Sequence, residues 1–198
     1  MKRTLVMAAI TIAASLILSS ATYADSITFT ATLSGANENP ANASPGTGFA
    51  SVTINTVLNT MLVNVSFTGL EAGTTASHIH CCVAPGGNAG VATTVPFFTG
   101  FPIGVTSGTY SSVFDLTSAS TYNPAFITAH GGSIGGAEAA LLAGLESGDA
   151  YLNIHTTMFP AGEIRGFLTE VPEPGSILLL GSGLVGLLCA RRKLLARS

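Results

Sequence analysis

The chain is 198 residues long and carries seven Lys and Arg against ten Asp and Glu, for a formal net charge of −3. Six of the seven basic residues lie near the two ends, so Arg165 is the only basic side chain within residues 25–170, and nine acidic residues give that segment a formal charge of −8. Binding to a phosphate backbone requires clustered Lys and Arg, so this composition excludes nucleic acid and disfavours anionic lipid as partners.

The first 24 residues predict a secretion signal. Lys2 and Arg3 form a basic start, and an apolar stretch follows over residues 5–18. Small residues precede Asp25, as cleavage at that point requires. A permanent membrane helix would need roughly 20 apolar residues. We therefore predict a removable signal peptide over residues 1–24 and an exported domain that begins at residue 25.

The domain predicts an all-β fold. Apolar and polar side chains alternate with the two-residue period of a half-buried strand, and turns rich in Gly and Pro separate the alternating segments. The predicted strands lie at residues 26–33, 49–55, 61–68, 77–81, 109–116, 150–156 and 163–169. Residues 137–145 contain helix formers and predict one short helix in a crossover loop. Short strands with turn signals between them favour an antiparallel β-sandwich.

The two cysteines of the exported segment are neighbours in the sequence, Cys81 and Cys82. Export permits oxidation, but adjacent cysteines cannot connect distant loops. Free thiols and a disulfide between neighbouring residues are both open at this point.

The C-terminal residues have three parts. The motif Pro172, Glu173 and Pro174 precedes an apolar run over residues 177–190, and a basic cluster over residues 191–197 follows. Positive charge stays on the cytoplasmic side, so the domain is expected outside. The apolar run is short for a full membrane span. A buried core helix is the alternative, which the basic residues directly after it disfavour.

This order of motif, apolar run and basic cluster resembles the PEP-CTERM sorting signal over residues 171–198. The resemblance implies recognition by an exosortase-type enzyme in Gram-negative bacteria that build an extracellular polymeric matrix. It also implies a membrane anchor before processing, and a final location in the envelope, at the cell surface or in a polysaccharide matrix.

Three histidines form a candidate metal site. His78 and His80 are two residues apart on one predicted strand, so both rings project from the same face, roughly 7 Å apart. His155 lies on another predicted strand. If the two strands are neighbours, the three rings can bind one copper or zinc ion. The alternative is that they are neutral histidines with a structural role, hydrogen-bonded to backbone and carboxylates.

Arg165 is expected to form a structural ion pair. As the domain's only cation it needs a carboxylate partner, and Glu38 and Glu163 are the candidates, Glu163 because it shares a strand face with Arg165. Such a pair would fix the loop after the first strand. A clamp for a substrate anion is the alternative.

Four motifs together resemble the CHRD domain first described in chordin. They are Leu33–Pro40 (LSGANENP), Ala76–His80 (ASHIH), Tyr151–Thr156 (YLNIHT) and Pro160–Gly166 (PAGEIRG). The resemblance covers residues 27–168 and implies an immunoglobulin-like antiparallel β-sandwich of extracellular proteins, with no established enzyme activity. The chain departs from the family at Cys81, where the family usually has Gly.

A weaker similarity is to Cu/Zn superoxide dismutase, which is also a β-sandwich with two histidines one residue apart on a strand. The chain's four histidines are too few for a binuclear copper–zinc centre, so only a mononuclear site is compatible with the count. No nucleophile, paired-acid or phosphate-loop motif is present.

The sequence therefore predicts a non-enzymatic surface or matrix module of residues 25–170 without a cofactor. The competing hypothesis is a copper- or zinc-binding protein that uses His78, His80 and His155.

Overall fold

The computed structural model describes residues 26–172 and, beyond them, position 183 alone. The predicted signal peptide over residues 1–24 lies outside the described residues. So do Glu173 and Pro174 of the sorting motif, and all but one residue of the apolar run. Among the residues that are described, no helix is long and apolar enough to cross a membrane.

The described residues form eight strands and two α-helices, which confirms the predicted all-β fold. The strands are β1 (Ser26–Ser34), β2 (Thr47–Asn55), β3 (Thr60–Thr68), β4 (Thr74–His80), β5 (Gly108–Asp115), β6 (Tyr151–Thr156), β7 (Ile164–Phe167) and β8 (Thr169–Glu170). The helices α1 (Pro124–Ala129) and α2 (Ile134–Glu146) lie between β5 and β6. The predicted short helix corresponds to α2.

Helix α1 was not predicted from the sequence. Pro124 occupies its first turn, where a proline's missing N–H costs nothing. The Asn123 side chain caps this helix by accepting a hydrogen bond from the N–H of Ala125 at 3.0 Å. The Ser133 hydroxyl caps α2 in the same way.

The strands form one antiparallel sheet with the order β4-β6-β7-β1-β2-β3-β5, and β8 also pairs with β1. The sheet curls around the hydrophobic core of the described residues, so the predicted sandwich takes the form of a half-barrel. Along β2 and β3, buried side chains alternate with more exposed ones, as the sequence predicts. The apolar face of each strand packs in the core. The core includes Phe29, Val52, Val63, Ile79, Phe98, Leu141, Leu152 and Ile154.

Strand β6 departs from the alternating pattern, because all six of its residues are buried. Leu152 and Ile154 face the hydrophobic core. Tyr151, Asn153 and His155 occupy the other face of the sheet, where loops cover them. A second, polar layer of buried side chains therefore lies on the outside of β4, β6 and β7.

The Leu152→Ala substitution tests the position of the core. Leu152 is fully buried, so truncating it leaves a cavity and should lower the free energy of unfolding by about 2 to 5 kcal/mol. Leu58→Ala is the matched control at an exposed position and should change it by less than about 0.5 kcal/mol. Urea denaturation measures both, and equal effects would contradict the assignment of the core.

Candidate metal centre

The buried polar layer occupies three neighbouring strands. Across the sheet, His78 of β4 lies opposite Asn153 of β6, and Asn153 in turn lies opposite Arg165 of β7. His80 lies opposite Tyr151. Each of these side chains is at least nine-tenths buried, although most are polar.

Two loops cover this layer and bind each other. The first covering loop is residues 35–46 and the second is residues 81–98. The Asn39 side chain donates to the Gly86 carbonyl at 2.8 Å, and the Asn88 side chain donates to the Asn39 carbonyl at 2.8 Å. These bonds hold the loops together above the sheet, so the polar layer is shielded from water.

The structure brings the three predicted histidines together. Their ring centroids are 5.3 Å apart for His78 and His155, and 5.7 Å apart for each of the two pairs that include His80. One nitrogen from each ring lies within 4.8 Å of the other two. Strands β4 and β6 are direct neighbours, which is the condition that the sequence hypothesis required.

Each ring binds a backbone carbonyl through one nitrogen. His78 Nε2 lies 2.6 Å from the Pro96 oxygen, His80 Nδ1 lies 2.9 Å from the Ala89 oxygen, and His155 Nδ1 lies 3.1 Å from the Pro160 oxygen. A carbonyl oxygen only accepts, so each of these nitrogens must carry the hydrogen. In a neutral ring the opposite nitrogen then holds a lone pair.

Those opposite nitrogens are buried without a hydrogen-bond partner among the described residues: His78 Nδ1, His80 Nε2 and His155 Nε2. A buried polar atom without a partner costs roughly 1–3 kcal/mol. A ring that donates one N–H to a backbone carbonyl and leaves the other nitrogen free is the usual arrangement of a metal ligand. The donor set therefore fits one transition-metal ion.

Burial keeps the three rings uncharged. It lowers the pKa of His78 and of His80 to about 4, and nearby histidines add to this effect. It also lowers the pKa of His155. The rings are therefore neutral at pH 7, and a metal ion need not displace protons from them.

Arg165 binds both covering loops from below. Its Nε donates to the Asn37 carbonyl at 2.6 Å, and its Nη1 donates to the Asn88 side chain at 2.7 Å. The guanidinium carbon lies 4.7 Å from the centroid of the Tyr151 ring, within cation–π range. Arg165 is only 1% exposed, so it contacts the loops from the interior.

The two candidate carboxylates have different surroundings. Glu38 Oε2 lies 3.8 Å from Arg165 Nε. Burial raises the pKa of Glu38 to about 7, and the Arg165 charge and the Asn153 side chain only partly offset that effect. Within the described residues, Glu38 is the acidic side chain that lies within 4.0 Å of the Arg165 guanidinium.

Glu163 instead connects the ends of several strands. Its Oε1 accepts from the Ser44 hydroxyl at 2.6 Å and from the Glu71 N–H at 2.7 Å, and its Oε2 accepts from the Thr156 hydroxyl at 2.6 Å. Hydroxyl and backbone donors thus occupy the carboxylate that the sequence hypothesis grouped with Arg165. Alternation along the strand placed both residues on one face, but it could not show which donors each side chain reaches.

Cys81 and Cys82 form a disulfide directly after the second histidine. Their sulfur atoms lie 3.8 Å and 3.4 Å from the Ala140 carbonyl oxygen of α2. A side chain at Gly144 would overlap the Cys81 sulfur, so glycine permits the close approach of the helix. The disulfide therefore packs the end of β4 against α2.

A family model described as the CHRD domain matches residues 29–168, more than half of the chain. The chain belongs to the CHRD domain family. A second model, the PEP-CTERM protein-sorting motif, matches residues 170–193. No curated protein and no solved structure shows significant similarity to the chain.

Both family matches agree with the resemblances in the sequence. The PEP-CTERM motif indicates export and sorting to the bacterial envelope or surface by an exosortase-type enzyme. The CHRD match indicates an extracellular module and spans both strands that carry the three histidines.

The pKa values predict how the stability of the metal-free protein depends on pH. The unfolded chain binds protons at His78 and His80 below about pH 6.5, whereas the folded chain resists protonation until about pH 4. The free energy of unfolding should therefore fall as the pH drops through this window. Glu38 acts in the opposite direction, because its folded pKa is raised from 4.5 to about 7.

The Glu38→Gln variant separates the two effects. It removes the contribution that opposes the histidines, so its stability should fall more steeply than that of the unsubstituted protein between pH 6.5 and 4. Urea denaturation in a series of buffers measures both curves. If the stability of the Glu38→Gln variant were independent of pH in this window, the histidines would not be held neutral by burial.

Proposed function

We propose that the mature CHRD domain is a non-enzymatic module of the cell surface or extracellular matrix of a Gram-negative bacterium. The sorting motif directly follows the domain and supports delivery to the envelope. The strong negative charge of residues 25–170 is compatible with a neutral or cation-bridged polysaccharide matrix as the partner, and it disfavours polyanions. The tail would hold the protein in the membrane until the exosortase-type enzyme acts on it.

Replacement of Pro172, Glu173 and Pro174 by alanine tests the sorting step. In a host that contains the sorting enzyme, the full chain should reach the surface or the medium, whereas the variant should accumulate in the membrane fraction. Thr169→Ala changes an exposed residue just before the motif and is the control. Cell fractionation with immunoblotting measures the distribution. Retention of the unsubstituted protein in the cytoplasm would overturn the proposal.

We further propose that the domain binds one copper or zinc ion through His78, His80 and His155. The observation that supports this is the set of three buried ring nitrogens without a partner among the described residues. Imidazole nitrogen is a preferred ligand of both metals. Three protein ligands leave a fourth coordination position for water or another small ligand.

The structural alternative explains only half of the arrangement. The three bonds to backbone carbonyls do hold the second covering loop and the turn after β6, as a structural role requires. They leave the opposite nitrogens buried and unused by any described residue. A bound metal would use these lone pairs and offset the cost of burying them.

Metal analysis of the purified protein tests this function. The protein should hold about one copper or zinc ion per chain after equilibration with the metal and gel filtration, and His78→Ala combined with His155→Ala should abolish binding. His130→Ala is the control, since His130 lies outside the cluster. Elemental analysis by mass spectrometry measures the content. Equal metal in the double variant and in the control would exclude the site.

A further inference from the structure

Both ends of the described domain lie at the same end of the sheet as the turn between β2 and β3. The first residue of β1, Ser26, pairs with Asn55, which is the last residue of β2. The chain leaves the sheet beside β1, where the Val171 N–H donates to the Thr28 carbonyl at 2.8 Å. The β2–β3 turn, residues 56–59, therefore lies beside the point from which the tail begins.

The tail limits how far this end of the domain can be from a membrane. The apolar run starts at residue 177, five residues after Pro172. Five extended residues span at most about 17 Å. While the tail is in the bilayer, this end of the domain therefore stays within about 17 Å of the start of the apolar run, and the β2–β3 turn can reach the lipid headgroups.

The turn exposes two large apolar side chains. Val57 is 68% exposed and Leu58 is 69% exposed, the highest values among the large hydrophobic residues of the described chain. The Asn55 side chain accepts hydrogen bonds from the N–H of Val57 at 3.0 Å and of Leu58 at 2.7 Å. Because these N–H groups are already satisfied, the tip can enter an apolar environment without leaving them unpaired.

The charges near the turn define the kind of membrane surface. Asp115, which pairs with Thr60 after the turn, is exposed, and Glu170 lies on the exit path. Arg165, the only basic side chain of the domain, is buried. Contact with the bilayer must therefore come from the apolar tip, and a zwitterionic surface suits it better than an anionic one.

We propose that the β2–β3 turn is a membrane contact, with Val57 and Leu58 inserted into the interfacial layer of a zwitterionic bilayer while the tail is attached. This inference rests on the proposed function, since it needs the tail as an anchor. The contact fixes the orientation of the domain on the bilayer and presents the motif that begins at Pro172 at the lipid surface, where a membrane-bound sorting enzyme can reach it.

A single tryptophan placed at the tip tests the contact directly. The chain contains no Trp, so Leu58→Trp introduces a unique fluorophore. Phe49→Trp is the matched control, because Phe49 is 48% exposed and lies near the opposite end of β2. The full chain is reconstituted into phosphatidylcholine vesicles, with and without lipids that carry a quencher in the acyl chain, and flotation measures how much protein is bound.

We expect a blue-shifted emission and strong quenching by the labelled lipids for Leu58→Trp, and neither effect for Phe49→Trp. Partial replacement of phosphatidylcholine by phosphatidylglycerol should reduce the quenching, because the nearby carboxylates are repelled.

If the protein floats with the vesicles but the two tryptophans are quenched equally, the membrane contact is wrong and the anchor stands. If the protein does not float, both the anchor and the contact are wrong. A blue shift without lipid quenching would identify a second copy of the chain as the occupant and overturn the proposal.

Discussion

The hydrogen bonds of Arg165 join the sheet to the two covering loops that bury its outer polar layer. This side chain lies beneath the two covering loops and donates to Asn37 in one and to Asn88 in the other. The loops in turn bind each other, so a single cation joins β7 to both of them. A buried arginine is costly, and Glu38 and the Tyr151 ring offset part of that cost. Truncation of Arg165 would leave these acceptors without their donor and open the layer to water.

The chemistry of the three histidines follows from this cover. Because the loops exclude water, each ring is neutral and carries a single N–H. The carbonyls of Pro96, Ala89 and Pro160 determine which nitrogen carries that hydrogen. One nitrogen from each ring lies within 4.8 Å of the other two, and all three rings are buried. Strand pairing, loop closure and ring protonation together produce a donor set that suits a metal ion, although no single one of them would do so.

Sequence patterns predicted the parts of the molecule that depend on periodicity. Alternation and turn signals predicted seven strand segments, of which the last, residues 163–169, is divided into β7 and β8 in the structure. The same argument put His78 and His80 on one face. The carbonyl partners of the rings could not be predicted, because they belong to irregular loops and are backbone atoms. The position of Glu163 was also not predictable, since its partners Ser44 and Glu71 come from distant turns. Helix α1 was not predicted, although Asn123 and Pro124 are residues typical of a helix start.

The coordination of a metal by His78, His80 and His155 is the central claim, and X-ray absorption at the copper or zinc edge of the metal-loaded protein tests it most directly. Imidazole rings produce multiple-scattering features that water and carboxylate ligands do not. The proposal predicts three imidazole nitrogens at about 2.0 Å from the metal and one further light-atom ligand. A shell of oxygen ligands alone, or a single imidazole, would contradict the account.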